Sequence, residues 1–173
     1  MTDKLYYESS HRKDFEAQVI LCESEGEGYK VVLDKTVFFP EGGGQYADTG
    51  ILGGVHVLDA QEKDGMIYHY TDGALTPGEI VKGEIDWEKR FESMQQHSGE
   101  HIISGIVHGR FGYNNVGFHL GADYCTMDFD GPITKEQLKE IEEEANRIVY
   151  KNLNIEILYP TKEELKDLTY RSK

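Results

Sequence analysis

The hydrophobic pattern of this 173-residue chain changes period near Asp86, and that change bounds what it can fold into. Before it, Phe15, Ala17, Val19 and Leu21 alternate with more polar neighbours, the signature of a half-buried strand. A polar turn from Glu23 to Gly28 and the run Tyr29–Leu33 predict the returning arm of a hairpin. Further short strands are expected at Val55–Leu58, Met66–Tyr70 and Glu79–Ile85, separated by Asp64-Gly65 and Thr76-Pro77-Gly78. Strands of this length and spacing suit a small barrel or a curled sheet.

After Asp86 the period lengthens. Asp86 is a plausible N-cap for a helix over Trp87–Phe111, in which Phe91, Met94, Ile102 and Ile106 recur at helical intervals. Two strands are expected at Asn115–Leu120 and Tyr124–Phe129, turning at Gly121-Ala122. Thr134 and Gln137 have the form of a capping box, opening a helix with Leu138, Ile141, Ala145 and Ile148 on its apolar face. A strand at Ile155–Leu158 and a helix running from Thr161 into the C-terminus complete the reading. The order predicts an α+β fold with an antiparallel sheet, divided into residues 1–86 and 87–173.

Composition narrows the function. Thirty-two acidic against eighteen basic side chains give a net charge of −14. Such a balance repels polyanions and argues against a broad basic surface for nucleic acid, so any such contact is expected to be local or to lie elsewhere. Cys22 and Cys125 are too few for a disulfide framework and suggest reduced thiols. No apolar run reaches membrane-spanning length, and Met1-Thr2-Asp3-Lys4 does not open a signal peptide, so a cytoplasmic location is the default.

The chemistry is concentrated in two segments. His97-Ser98-Gly99-Glu100-His101 places two imidazoles at i and i+4, on one helix face, where both can reach one ion. Two ordinary surface or core histidines are the alternative. About fifty residues earlier, Thr36-Val37-Phe38-Phe39-Pro40-Glu41-Gly42-Gly43-Gly44-Gln45 carries three successive glycines, which permit positive φ and close approach of backbone to a ligand. A glycine-rich hairpin loop is the simpler reading of that segment alone. In this order the two segments, with Val116–Gly121, Thr126–Phe129, Ile141-Glu142 and Asn146, resemble the editing domain of alanyl-tRNA synthetases and the AlaX-type trans-editing proteins.

The resemblance implies a glycine-rich N-terminal β-barrel joined to an α/β editing core, with tRNA for alanine as partner through its acceptor end. The reaction would be hydrolysis of a wrongly attached serine or glycine ester. His97 and His101 would bind zinc. Gly42, Gly43 and Gly44 could face the ester or terminal ribose, Gln45 would hydrogen-bond in the same pocket, and the Thr36 hydroxyl would pair with that of serine. Glu100 is a candidate base, the alternative being a solvated helix carboxylate.

The family's second ligand pair, a C-x-x-x-H element, has no counterpart: Phe129 stands four residues after Cys125. The chain is therefore expected to be C-terminally truncated, its editing core incomplete and its zinc occupancy low, which could leave this chain inactive by itself. His108 sits roughly 10 Å along the helix axis from His101, too far to share an ion. His119 projects from one face of its strand and is the further histidine that could approach, whereas His11, His56 and His69 read as surface or sheet residues. Two rival readings remain: a His-x-x-Glu-His metallopeptidase with Glu100 as base, and a non-catalytic module that binds an acceptor end or a partner. No ATP-binding signature supports synthetase activity.

Overall fold

The computed structural model describes residues 1–121 and 124–168. Short strands β1 (Asp3–Lys4) and β4 (Lys35–Thr36) pair in parallel, and a single 3-10 turn covers Leu5–Tyr7. The main sheet comprises β2 (Asp14–Glu25), β3 (Gly28–Leu33), β5 (Gly50–Leu52), β6 (Val55–Lys63), β7 (Met66–Thr71) and β8 (Ile80–Ile85). These pair antiparallel in the order β2-β3-β7-β6-β5-β8, and β8 pairs back onto β2. Helix α1 (Trp87–Phe111) follows, then the hairpin of β9 (Asn115–Leu120) and β10 (Cys125–Phe129), α2 (Lys135–Tyr150) and the single turn α3 (Glu164–Asp167). The chain is thus a mixed α+β protein with a mainly antiparallel six-stranded sheet.

Two compact units result, Met1–Ser98 with Gly117–Asp128, and Gly99–Val116 with the chain from Phe129. In the first unit the two-residue alternation does what it predicts: Phe15, Ala17 and Val19 point inward and pack with Val31, Leu33, Leu52, Val57, Ile67, Val81 and Ile85. Trp87, the only tryptophan, lies against this core. In the second unit Ile106 and Val107 of α1 meet Ile141 of α2. The capping box at α2 forms as expected, the Thr134 side chain accepting from Gln137 N–H while the Gln137 side chain accepts from Thr134 N–H.

The tail departs from expectation. Ile155–Leu158 forms no strand, and Ile155, Ile157 and Leu158 are exposed. A β-prone run becomes a strand only when a neighbour completes its ladder and buries one face, and among the described residues none does. At Thr161 the capping box with Glu164 is present, yet the helix it opens is one turn long within the described residues. Residues 169–173 and the turn residue Ala122 lie outside the described residues. The strands β1, β4 and β5 were not legible, being too short to show any alternation.

Two polar features sit inside the first unit. His69, read as a sheet residue, is one, but it is wholly buried. Its Nδ1 lies 3.2 Å from the Val31 carbonyl and its Nε2 lies 2.9 Å from the Thr36 hydroxyl. A carbonyl can only accept, so Nδ1 carries the proton and Thr36 donates to Nε2. Thr36 Oγ1 in turn accepts the Phe38 N–H at 3.1 Å. The second feature is the pair Asp48 and Arg90, 4% and 3% exposed. Arg90 Nε donates to both Asp48 oxygens at 2.8 and 3.0 Å, and Nη2 donates to Asp48 as well. The remaining guanidinium donors reach the carbonyls of Ser10 (3.0 Å) and Val37 (2.7 Å).

Both features predict measurable behaviour. Burial pushes the His69 pKa down to about 4. The unfolded chain therefore binds a proton near pH 6.5 that the native state refuses until about pH 4, so stability should fall as pH drops through that window. The loss should reach roughly 3 kcal/mol. His69→Gln should lack this part of the pH dependence, read by urea unfolding followed through Trp87 fluorescence. In the same assay Asp48→Ala should destabilise by about 3–5 kcal/mol, because it strands a buried guanidinium.

Candidate functional site

The glycine segment folds as a tight hairpin turn. Gly42 N–H donates to the Gln45 carbonyl at 3.1 Å and Gln45 N–H returns to Gly42 at 3.0 Å. The two corner residues, Gly43 and Gly44, have φ of 61° and 83°. Positive φ at both corners defines a type I′ turn, which glycine adopts without steric cost. The Gly42 N–H is thus committed to the turn. A side chain at Gly44 would come within 3.0 Å of the Phe118 ring and 3.3 Å of its carbonyl, so this glycine also permits a close approach.

The turn is fixed from behind. Phe39 N–H donates to Asp48 at 2.7 Å, and Glu41 N–H reaches the Ala60 carbonyl at 3.0 Å. Gln45, 7% exposed, then faces α1, its Oε1 at 3.2 Å from His97 Nδ1. The imidazole also lies against the Phe118 ring, with centroids 5.8 Å apart. The structure therefore brings Gly43, Gly44, Gln45 and His97 together. Thr36 stands apart from this group, fully buried with its one O–H given to His69. Donation from that hydroxyl to a substrate hydroxyl would require the His69 contact to break.

Along α1, ligand-type atoms of His97, Glu100 and His101 all lie within 4.8 Å of one another. His101 is solvent-facing, whereas Glu100 is buried and is not the solvated carboxylate that its position on a polar helix face suggested. Glu100 Oε1 accepts from Ser104 Oγ and from Asn115 Nδ2, both at 2.7 Å, and Asn115 Nδ2 also lies 2.9 Å from Ser104 Oγ. Glu100 Oε2 stands 3.3 Å from His101 Nδ1. Imidazole is a common zinc ligand and a neighbouring carboxylate commonly supports one, so His97 and His101 with Glu100 beside them fit a divalent metal. His119, which the sequence allows to approach from its strand, is not among these three. Ser104, one helical turn beyond Glu100, is a partner that helix spacing marks; Phe118 is marked only as part of the Val116–Gly121 match, and Asn115 carries no sign of its role at Glu100.

His119 instead lines a cleft of about 320 Å³ with Glu41, Gly42, Gly44, Gln45, Tyr46, Phe118 and Leu120. A second cleft of about 610 Å³ shares Tyr46 and Leu120 with it and adds Lys89, Gln96 and Tyr124 among its walls. Tyr46 and Tyr124 are exposed. Of the other histidines, His11 and His56 are exposed, and His108 Nδ1 lies 3.3 Å from the Tyr113 carbonyl.

The turn geometry can be tested by itself. Gly54 has φ 90° and open space around it, whereas Gly44 has φ 83° and Phe118 beside it. Gly54→Ala should cost about 1–2 kcal/mol from backbone strain alone. Gly44→Ala should cost measurably more, as read by the shift of the urea midpoint, because the methyl also displaces Phe118.

The sequence is similar to that of known proteins. A family model described as tRNA synthetases class II (A) matches residues 4–89. The alanyl-tRNA editing protein AlaX-L of Pyrococcus horikoshii is 33% identical over 166 residues, covering 91% of this chain and 41% of that protein. An alanine–tRNA ligase of Halobacterium salinarum is 39% identical over 176 residues, covering 94% of this chain and 19% of the ligase. The alanyl-tRNA editing protein Aarsd1 of Rattus norvegicus is 33% identical over 162 residues, covering 86% of this chain and 39% of its own length. The chain thus spans about two fifths of the editing proteins it matches and a fifth of the ligase.

Proposed function

Because the chain belongs to the AlaX-type family of alanyl-tRNA editing domains, we propose that it hydrolyses the ester of a wrongly attached serine or glycine on tRNA for alanine. One observation carries the reading: the type I′ glycine turn delivers Gln45 to His97, joining the two segments that a resemblance could only align. His97 and His101, with Glu100 beside them, are the residues that would hold zinc. A cation bound there supplies Lewis-acid polarisation or an acidified water.

The chain's own groups account for placement. The ester would lie in the cleft between the glycine turn and Phe118-His119, where Gln45 offers a hydrogen-bond donor and Gly42 and Gly44 let the substrate approach the backbone. Water adds to the ester carbonyl, the bond to the ribose oxygen breaks, and the amino acid leaves as its carboxylate while the ribose hydroxyl regains a proton. The terminal nucleotides would follow the adjoining cleft, where Tyr46 and Tyr124 present aromatic faces for base stacking and Lys89 a cation. Such local contacts suit a chain whose net charge of −14 repels the tRNA backbone elsewhere. Thr36 would influence selectivity indirectly, through the loop it anchors.

The test is deacylation of seryl-, glycyl- and alanyl-tRNA for alanine by the zinc-loaded protein. Seryl or glycyl ester should be cleaved faster than alanyl ester, and His97→Ala should lower hydrolysis of every ester alike. Equal rates on all three would overturn the editing assignment. Acceptor-end binding without hydrolysis would favour the non-catalytic module, and cleavage of peptide bonds would favour the metallopeptidase.

A further inference from the structure

Glu100 is wholly buried, yet its position is fixed without any help from a cation. Ser104 and Asn115 both donate to the same oxygen, Oε1, and this turns the other oxygen, Oε2, toward His101 Nδ1 at 3.3 Å. A neutral imidazole has one N–H and one lone pair. A lone pair on Nδ1 would face an anionic oxygen, whereas a proton there is attracted to it. Four residues earlier the same arrangement recurs in different chemistry: the Gln45 side-chain oxygen lies 3.2 Å from His97 Nδ1. An amide oxygen only accepts, so it too selects the N–H form at Nδ1.

We propose that Glu100 and Gln45 are positioning residues that hold His101 and His97 as their Nδ1–H tautomers, so that Nε2 is the metal-ligating nitrogen of both. Asn115 and Ser104 act one step further out, by keeping Glu100 turned toward His101. The nitrogen that binds a metal is set by the hydrogen bond the other nitrogen makes, and such outer partners are commonly a carboxylate or a carbonyl. Under this assignment Glu100 is not the general base, because Ser104 and Asn115 hold its Oε1, its Oε2 lies against His101 Nδ1, and the side chain is buried away from solvent. The inference rests on the metal-binding reading of the two histidines, but it concerns a property of the metal-free protein and can be examined without any activity.

The experiment is long-range ¹H–¹⁵N NMR of the histidine-labelled, metal-free full chain at a pH where imidazoles are neutral. Signals are assigned by their loss in His97→Gln and His101→Gln. Both histidines should show a protonated Nδ1 and an unprotonated Nε2. In Glu100→Gln the Ser104 and Asn115 donors should hold the new amide oxygen, placing its NH₂ against His101 Nδ1 and shifting His101 toward the Nε2–H form while His97 is unchanged. Gln45→Leu should release His97 alone. Zinc affinity, measured by competition with a chromophoric chelator, should fall about 10–100-fold in each variant. An Nε2–H tautomer at either histidine in the unaltered protein overturns the proposal, and that measurement requires no variant to fold. Unchanged tautomers in folded Glu100→Gln and Gln45→Leu, or unchanged zinc affinity despite altered tautomers, overturns it too. Absence of deacylation with the expected tautomers overturns the editing reading and leaves this one standing.

Discussion

The guanidinium of Arg90 is the fixed point of the N-terminal unit. From the first turn of α1 it takes both carboxylate oxygens of Asp48 and the carbonyls of Val37 and Ser10, all with almost no solvent contact. Asp48 passes the constraint on, accepting the Phe39 N–H while its own N–H donates to the Phe39 carbonyl. The two ends of the Thr36–Asp48 loop are thereby tied to one helix start, and the glycine turn between them inherits a defined position. A buried ion pair is often no more stable than an apolar replacement, but a fork that makes several directed bonds fixes geometry in a way that apolar contact cannot. Here the geometry it fixes is that of Gln45 relative to His97.

Polar groups buried without compensation would undermine such a unit, and His69, Asp48 and Arg90 each find partners in it. His69 enters the core neutral because Val31 accepts from one nitrogen and Thr36 donates to the other. That arrangement uses the only hydroxyl proton Thr36 has, which is why Thr36 belongs to the support of the loop more than to its surface. Glu100 in the second unit follows the same rule with Ser104 and Asn115. Thr36 and Glu100, which the sequence marks as a substrate contact and a candidate base, are thus each already engaged by neighbours. Their contribution is orientation.

Function also has to be reconciled with charge. An excess of fourteen negative charges gives no general attraction to a polyanion. The two clefts of the first unit offer a different kind of recognition, in which glycine backbone, an amide side chain and tyrosine faces would meet a chain end. Stacking and short polar contacts depend little on the sum of charges, so an acidic protein can still hold a single-stranded terminus.

The sequence by itself determined the elements whose periodicity is long enough to read: the alternation that places Phe15, Ala17 and Val19 in a core, the α1 helix that puts His97 and His101 on one face, and the capping box at Thr134. It also singled out the glycine segment, because consecutive glycines have few uses besides backbone freedom. Tertiary structure alone decided what those segments meet. Nothing local in the chain pairs Gln45 with His97, Asp48 with Arg90 or Asn115 with Glu100, since each joins residues distant in sequence through a packed interior. It also decided burial: Glu100 and His69 are polar residue types with no periodic marker, and only the surrounding fold takes them out of water. For the same reason Ile155–Leu158 reads as a strand and is none, because strand formation needs a partner that local sequence cannot provide.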